Sequence, residues 1–482
     1  MTDGTSIALS LISHTNAGKT TLARTLLSRN VGEVRDAAHV TTEAASFPLV
    51  ETADGDALVL WDTPGFGDSA RLARRLRQQG NPIGWFLAQV WDRFRDRPFW
   101  LTQQAVRNVR DHADVVLYLV NASEEPGDAG YLAPELAVLE WIGKPVIVLL
   151  NQTGRPRAHI DEVADEARWR DALTNWARVR EVLTLDAFAR CWVQEFTLFA
   201  AVARALPVAR RQAFDRLVAA WKARRMGQFT DAMAALASPI ARAACDRVAL
   251  PAERLMMRLG KSLGFTPSEG ESPEGRAAIE MSTRLDADLR TSTDRLIAIH
   301  ALEGGAAGEV LARLASDVRT DAPLDEGKAA MMGGVVTGAL SGLAADLAAG
   351  GLTLGAGLLA GAVLGALGGA GVARGVNVAR GKTEATARWD DAFLDRLVVS
   401  AVLRYLAVAH YGRGRGDWRE SEYPPFWRER VAHAVALQQA ALAATWALRM
   451  PDCKSSVIEN RLRETVTKIV SGLLDELYPG AL

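Results

Sequence analysis

One short stretch near the start of the chain has the residue types and spacing of a phosphate-binding loop. It reads Ser13-His14-Thr15-Asn16-Ala17-Gly18-Lys19-Thr20, with Ser13 where such a loop usually has its first glycine. Lys19 would reach the β- and γ-phosphates of a nucleotide, and the Thr20 hydroxyl would bind Mg²⁺. The first glycine mainly gives the turn conformational freedom, so Ser13 removes freedom from the backbone but no chemical group.

Two further segments supply the oxygen and amide groups that such a site needs. Asp62-Thr63-Pro64-Gly65 follows an apolar run, and Asn151-Gln152-Thr153-Gly154 follows another. Asp62 would hold Mg²⁺ through water, and the N–H of Gly65 would reach the γ-phosphate. Three such motifs in this order predict a P-loop nucleoside triphosphatase.

The elements around these motifs predict an α/β fold. Apolar runs typical of buried strands lie at 6–12, 57–61, 114–120 and 145–150, and helical patterns such as 131–143 alternate with them. Alternation of this kind favours a mostly parallel, doubly wound sheet, whose ligand binds at the carboxyl ends of the strands.

The motifs resemble a family. "TNAGKTT", "DTPGFGD" and "VIVLLNQTG" are similar to the Era/TrmE branch of translation-factor-related GTPases, over about residues 5–207. With "RPFW", "LDAFARCWVQE" and a glycine-rich stretch, the whole chain resembles a bacterial group that joins such a domain to a C-terminal region of unknown function. The resemblance implies GTP or GDP and Mg²⁺ as ligands. It assigns phosphate contacts to Asn16, Ala17, Gly18, Lys19, Thr20 and Thr21, and base contacts to Asn151, Asp186 and Ala187.

The resemblance also suggests how hydrolysis would be assisted. Asn16 matches the asparagine that helps to hold K⁺ in the potassium-stimulated members, and Thr41 or Thr42 would be the switch threonine that closes on Mg²⁺. Phe66 stands where Ras-type enzymes have a glutamine that positions the attacking water. A phenyl ring cannot do this, so we expect slow hydrolysis unless a cation, a homodimer formed through the G domain or another partner supplies the missing group.

The base-reading motif departs from the family pattern. The family has NKxD, whose aspartate accepts from guanine N1–H and N2–H, whereas this chain has Gly154 at that position. Loss of that carboxylate would cost about 1.5–3 kcal/mol of guanine preference per hydrogen bond. ATP therefore stays open as an alternative to GTP. Asp186 either replaces the missing carboxylate or caps the following helix.

Asp62 and Asn151 are separated by more chain than a minimal domain of this kind needs. The extra segment, about 66–112, holds a basic helix and a cluster of aromatic residues. Two interpretations stay open: the aromatic side chains pack the insertion onto the protein, or they form a partner surface that responds to nucleotide. We predict a G domain over 1–207 that contains this insertion.

The remainder, 208–482, is predicted to be an all-α domain. Its exceptional feature is the stretch 331–373, in which glycines recur every fourth residue. They are Gly334, Gly338 and Gly342, then Gly357, Gly361, Gly365 and Gly369. On helices this spacing forms a glycine face, and the pattern predicts a glycine-zipper hairpin of two helices, each about 30 Å long.

Two interpretations of the predicted hairpin stay open. Its length, its single charged residue (Asp346) and the basic residues at its base favour a membrane or a membrane protein as partner. Its many glycines and alanines and the lack of an aromatic belt favour a hairpin buried within the protein. The chain is accordingly predicted to be cytoplasmic, and the first interpretation would add peripheral binding to the inner membrane or insertion of the hairpin into it.

Composition narrows the remaining classes. The chain has 56 basic and 57 acidic residues among 482, so no global field favours nucleic acid, and we do not expect nucleic acid as a partner. Cys191, Cys245 and Cys453 are far apart, which predicts neither a zinc site nor a disulfide and suits a reducing compartment. The N-terminus lacks the features of a signal peptide.

Together the patterns predict a GTPase whose nucleotide state controls the helical region. Two other classes stay open: a module that binds nucleotide without turnover, and a protein that remodels or perforates membranes.

Overall fold

A computed structural model describes residues 4–14, 17–28, 45–63, 65–66, 69–78, 97–153, 159–187, 191–249, 273–302, 372–377, 384–411, 425–450 and 452–481. The chain divides into two compact units. The first comprises 1–227, 409–420 and 477–482, and the second comprises 228–408 and 421–476.

The first unit contains a six-stranded sheet. Its strands are β1 (Ser6–Ser13), β2 (Ala45–Glu51), β3 (Ala57–Asp62), β4 (Val115–Asn121), β5 (Val146–Asn151) and β6 (Val179–Thr184). They lie in the order β2-β3-β1-β4-β5-β6, with only β2 antiparallel to its neighbour. The adjacent parallel strands β1, β4 and β5 are almost fully buried, as expected for parallel strands covered on both faces.

Helices cover both faces of this sheet. They are α1 (Lys19–Leu27), α2 (Ser69–Gln78), α3 (Arg97–His112), α4 (Leu132–Ile142), α5 (His159–Leu173), α6 (Gln194–Ala205) and the first part of α7 (Val208–Cys245). Alternate residues of the strands face opposite sides. Leu9 and Leu11 therefore pack with α1, α6 and α7, whereas Ile12 and Tyr118 pack with α2 to α5. The predicted α/β P-loop class is confirmed.

The register of the sheet aligns the motifs found in the sequence. Leu11 pairs with Asp62, Ser13 pairs with Leu119, and Asn121 pairs with Asn151. The carboxyl ends of the parallel strands β1, β3 and β5 therefore lie along one edge of the sheet.

The predicted insertion contributes α2 and α3, while 79–96 lies outside the described residues. Phe99 of α3 is fully buried, and the Arg71 guanidinium lies 4.2 Å from the centre of its ring. For this one aromatic residue, packing against the protein is therefore confirmed.

The second unit is mainly helical. It contains the rest of α7, with α8 (Pro273–Ile299), α9 (Asp391–Ala409), α10 (Pro425–Leu437), α11 (Gln439–Trp446) and α12 (Ser455–Leu477), of which the terminal residues Ala409 and Leu477 belong to the first unit. Arg404 of α9 is buried and donates to the hydroxyls of Ser292 and Thr293 on α8. Burial lowers its pKa to about 10. The all-α class predicted for 208–482 is confirmed as a helix-rich region, but the unit is not entirely helical.

A small antiparallel sheet in this unit was not predicted. It consists of β7 (Val248–Ala249), β9 (Glu384–Trp389) and β8 (Val372–Asn377), in that order. Val372 and Ala373, which the sequence placed at the end of the glycine-zipper hairpin, belong to β8. The hairpin's other residues lie outside the described part of the chain, so the hairpin stays a prediction. Among the described helices, none is long and apolar enough to cross a membrane.

The prediction that the cysteines form no disulfide is wrong. Cys245, at the end of α7, is bonded to Cys453, shortly before α12, with a Cα–Cα distance of 5.5 Å. The two residues are 208 positions apart in the chain. Sequence spacing could not reveal the bond, because only the packing of this unit brings them together. Cys191 is buried and takes no part in it.

Candidate nucleotide-binding site

The phosphate loop connects β1 to α1, and its end requires a glycine. Gly18 has a φ of +87°, in the left-handed region that favours glycine. A Cβ atom there would lie 2.5 Å from Nδ2 of Asn151. That same Nδ2 donates to the carbonyl of Ala17 at 2.8 Å. Asn151, the first residue of the third motif, thus holds the loop in position.

Lys19 is buried at the first turn of α1, with only 8% of the residue exposed. Its Nζ donates to Oγ of Ser13 at 2.9 Å. Burial lowers the pKa of Lys19, and the carboxylates of Asp62 and Glu135 oppose that shift. Ser13 therefore does more than replace a glycine, because its hydroxyl accepts from the phosphate-binding lysine. The sequence offered no signal for that role.

Two residues at the start of α1 and the end of β3 have the chemistry of a magnesium site. Oγ1 of Thr20 donates to Oδ2 of Asp62 at 2.7 Å. Within the described residues, Oδ1 of Asp62 is buried without a hydrogen-bond partner, and burial raises the pKa of this carboxyl against the opposing charge of Lys19. Mg²⁺ prefers such hard oxygen ligands, so the residues present fit the ion.

Gly65 and Phe66 follow this pair. The N–H of Phe66 donates to the carbonyl of Ser13 at 3.0 Å, and Gly65 is buried beside it. The Phe66 side chain is fully buried and packs in the core with residues of α2 and α3, including Leu72 and Phe99. Gly65 and Phe66 therefore contribute backbone groups next to the phosphate loop, because neither residue has a polar side chain.

The loops after β5 and β6 are joined by side chains. Oδ1 of Asn151 accepts from the N–H of Ala187 at 2.7 Å. Oδ2 of Asp186 accepts from the N–H and the hydroxyl of Thr153, at 2.8 and 2.9 Å. Oγ1 of Thr25 in α1 donates to the carbonyl of Ala187 at 3.0 Å. Asn151, Asp186 and Ala187, all predicted from the sequence, are thus brought together.

Gln152 of the same motif has an unusual backbone conformation. Its φ is +58°, in the left-handed region that non-glycine residues seldom adopt. Such conformations are concentrated at functional sites, where the surrounding structure holds them. The hydrogen bonds made by its neighbours Asn151 and Thr153 hold the loop in this shape.

A buried polar network next to the phosphate loop was missed. Glu135 of α4 is fully buried. Its carboxylate bonds Nδ1 of His14 at 2.8 Å and accepts from the hydroxyl of Tyr118 at 2.7 Å. Burial raises the pKa of Glu135, while His14 and Tyr118 oppose that shift. An acidic residue on the face shared by Leu132 and the other apolar residues of α4 was the signal that could have revealed it.

The other predicted site residues divide into two groups. Thr21 lies in α1, where its side chain is buried. Asn16, Thr41, Thr42 and Gly154 lie outside the described residues, so their roles stay predictions.

The order of the sheet, the phosphate loop and the contact between Thr20 and Asp62 are those of a P-loop domain, and the model of the family described as "50S ribosome-binding GTPase" matches residues 9–152. The family model "Domain of unknown function (DUF3482)" matches residues 174–468, more than half of the chain. The chain therefore belongs to the DUF3482 family and carries a GTPase domain at its N-terminus.

Two solved structures of Era are similar to the chain at 16% and 17% identity. One is Era with MgGDPNP and a segment of 16S ribosomal RNA, with a TM-score of 0.32 over 42% of this chain and 58% of that chain. The other is a variant of Era from Aquifex aeolicus bound to GDP and AlF4⁻, with a TM-score of 0.30 over 42% and 57%. The chain thus spans less than two thirds of either, and likenesses this weak carry no conclusion about activity or partners. Among curated proteins, none matches the chain.

Proposed function

We propose that the protein is a switch that binds GTP with Mg²⁺, hydrolyses it slowly and thereby controls its helical C-terminal region. The observation that carries the proposal is the group of side chains around the start of α1. Lys19, Thr20 and Asp62 converge there at the carboxyl edge of the sheet, with Oδ1 of Asp62 left without a partner among the described residues.

Each of these residues has a defined task in the proposal. The ammonium of Lys19 moves from the Ser13 hydroxyl to the β- and γ-phosphates, where it neutralises charge that develops as water attacks the γ-phosphorus. Thr20 and Asp62 would hold Mg²⁺, which would supply positive charge next to the same phosphates.

The slowness of the proposed reaction follows from Phe66. Its side chain belongs to the hydrophobic core, so it has no polar group to orient the attacking water. K⁺ held by Asn16, or a second copy of the G domain, would raise the rate by supplying the missing group. A stimulation by K⁺ over Na⁺ would support the first of these two sources.

Guanine selectivity is proposed to depend on Asp186. Its carboxylate is on the loop after β6, and hydrogen bonds from Thr153 connect it to the loop after β5, where the family has its aspartate. A carboxylate there would accept from guanine N1–H and N2–H, for which adenine offers no equivalent pair. The peptide N–H of Ala187 already donates to Asn151, so Asn151 fixes the same loop.

In the proposed cycle, bound GTP also changes the helical C-terminal region. GTP would order Thr41 or Thr42 and the aromatic insertion, and this change would be passed to the helical region. Association of 331–373 with a membrane would be one output of the cycle. Protein that stays entirely in the soluble fraction, with GTP and with lipid vesicles, would exclude that output.

The nucleotide site is tested by removing the lysine. We expect Lys19→Ala to weaken Mg²⁺-dependent binding of a fluorescent GTP analogue by at least about tenfold, because a charge-assisted contact to phosphate is lost. Lys144→Ala, which removes a half-buried lysine before β5, is the matched control and should bind as wild type. Circular dichroism would check that both variants fold. Wild-type affinity in a folded Lys19→Ala variant would contradict the assignment of this site.

A further inference from the structure

Three arginines come together in the second unit, far along the chain from the nucleotide motifs. Arg247 immediately precedes β7, Arg388 lies in β9, and Arg449 follows α11. The antiparallel register pairs Val248 with Ala387 and Ala249 with Thr386. Continued by one residue, this register places Arg247 directly opposite Arg388.

Hydrogen bonds bring the third arginine to the same corner. A terminal nitrogen of Arg247 donates to the carbonyls of Arg449 and Met450, at 2.7 and 3.0 Å. Arg449 itself is buried, donates to the carbonyl of Trp389 at 2.8 Å and pairs with Asp391. The chain therefore holds three guanidinium groups around one end of the small sheet.

The disulfide closes this corner. Cys245 lies two residues before Arg247, and Cys453 lies four residues after Arg449. The covalent bond therefore fixes the segment that carries Arg247 against the segment that carries Arg449.

The charges of the first two arginines are not balanced by the described residues. Like charges directly opposite each other on neighbouring strands are destabilising. Burial, and then the charge of Arg388, lowers the pKa of Arg247. Burial lowers the pKa of Arg449, and the charges of Asp391 and Asp390 oppose that shift. In the described part of the chain, no carboxylate forms an ion pair with Arg247 or Arg388.

Both arginines also have donors without acceptors. The Nε atoms of Arg247 and Arg388 are buried and make no hydrogen bond within the described residues. Both residues remain partly accessible, so an anion can approach from solvent. A guanidinium presents a planar fork of N–H donors that matches the oxygens of a phosphate group.

We propose that Arg247 and Arg388, with the buried Arg449 beside them, bind the phosphate group of a small anion at this end of the β7-β9-β8 sheet. The bound anion would offset the repulsion between the two opposed arginines and accept from the N–H groups of their guanidinium forks. This site lies in the DUF3482 region and does not depend on the function proposed for the G domain.

The test uses the full chain with its nucleotide site saturated with GDP and Mg²⁺. Binding of inorganic phosphate would be measured by calorimetry for the wild type, for Arg388→Gln and for Arg396→Gln. Arg396 is an exposed arginine of α9, so its variant loses the same charge outside the cluster. Any phosphate bound beside GDP would be present equally in all three proteins.

We expect Arg388→Gln to weaken phosphate binding by about tenfold or more, and Arg396→Gln to bind like the wild type. Acetate at the same ionic strength should bind no protein measurably. Equal phosphate binding by the two variants, or none by the wild type, would overturn the proposal, and acetate binding as tight as phosphate would overturn the assigned class of ligand.

A second measurement guards against misfolding of the variant. Without phosphate, Arg388→Gln should be at least as stable as the wild type in thermal unfolding, because one of two opposed charges is gone. Added phosphate should raise the melting temperature of the wild type and of Arg396→Gln more than that of Arg388→Gln. A variant that is less stable without phosphate and gains as much from it as the wild type would contradict the site.

Discussion

Asp186 and Thr153 join the two loops at which this chain departs from the family's base-reading motif. The family motif has its carboxylate after the fifth strand, whereas this chain has glycine there and a carboxylate after β6. The hydroxyl and the N–H of Thr153 both donate to that carboxylate. The acid is thus fixed between the two loops that would enclose a base.

We therefore expect Asp186→Asn to weaken GTP binding by about 10- to 100-fold and to leave ATP binding almost unchanged. The amide replaces a charged acceptor worth about 1.5–3 kcal/mol per hydrogen bond. Competition between the two nucleotides would measure the change, with Asp171→Asn, an exposed aspartate of α5, as the control. An equal loss for GTP and ATP would mean that Asp186 supports the loop without reading the base.

The sequence could predict the site residues that belong to motifs with a fixed spacing along the chain. Lys19, Thr20 and Asp62 were found because a phosphate loop and its metal-binding aspartate follow strands in a known order, and Thr20 and Asp62 are in contact in the structure. Glu135 was not found, because its partner His14 is 121 positions away. The apolar face of α4 marks Glu135 as an unusual acidic residue, but its contact with His14 follows from the packing of α4 on the sheet.

At the scale of elements, Asp56 connects three parts of the first unit. It ends the turn between β2 and β3. Its Oδ1 accepts from the N–H of Thr5 at 2.9 Å, just before β1, and its Oδ2 accepts from two nitrogens of Arg216 in α7, at 2.7 and 2.6 Å. The pKa of Asp56 lies below its ordinary value, chiefly because of the bond from Thr5, with burial opposing and Arg216 adding to the shift.

This connection predicts a pH-dependent contribution to stability. A carboxylate whose pKa falls on folding stabilises the protein above its unfolded pKa, and that stability is lost as the pH falls through its folded pKa. Asp56→Asn should therefore lower the melting temperature at pH 7, and the difference from wild type should narrow below about pH 4. Asp54→Asn, in the same turn but exposed, should show no such difference. A gap that is constant with pH would show that ionisation of Asp56 does not stabilise the fold.

Strands and helices could be predicted where the hydrophobic pattern of the sequence is clear. The strands predicted beside the motifs were confirmed, and the long helices α7, α8 and α9 agree with the helical character predicted for 208–482. The sheet of β7, β8 and β9 was missed because β7 has two residues and its partner β9 lies more than 120 positions further along the chain. The opposed arginines Arg247 and Arg388 could not be recognised from the sequence, because only the pairing of β7 with β9 brings them together.

At the scale of the whole molecule, a GTPase domain is joined to the DUF3482 region in one chain. In the proposed function, nucleotide turnover in the GTPase domain changes the state of the DUF3482 region. This coupling requires that bound GTP be converted to GDP, even if slowly. A module that only stores nucleotide would not provide a cycle.

The measurement that tests the proposed hydrolysis of bound GTP most directly is a single-turnover assay. The full chain would be in excess over labelled GTP or ATP, in buffer with Mg²⁺ and K⁺. We predict slow conversion of GTP to GDP and phosphate, slower conversion of ATP, and none of either by Lys19→Ala. GTP that stays bound but intact for many hours would contradict the enzyme, and ATP cleaved faster than GTP would contradict its guanine selectivity.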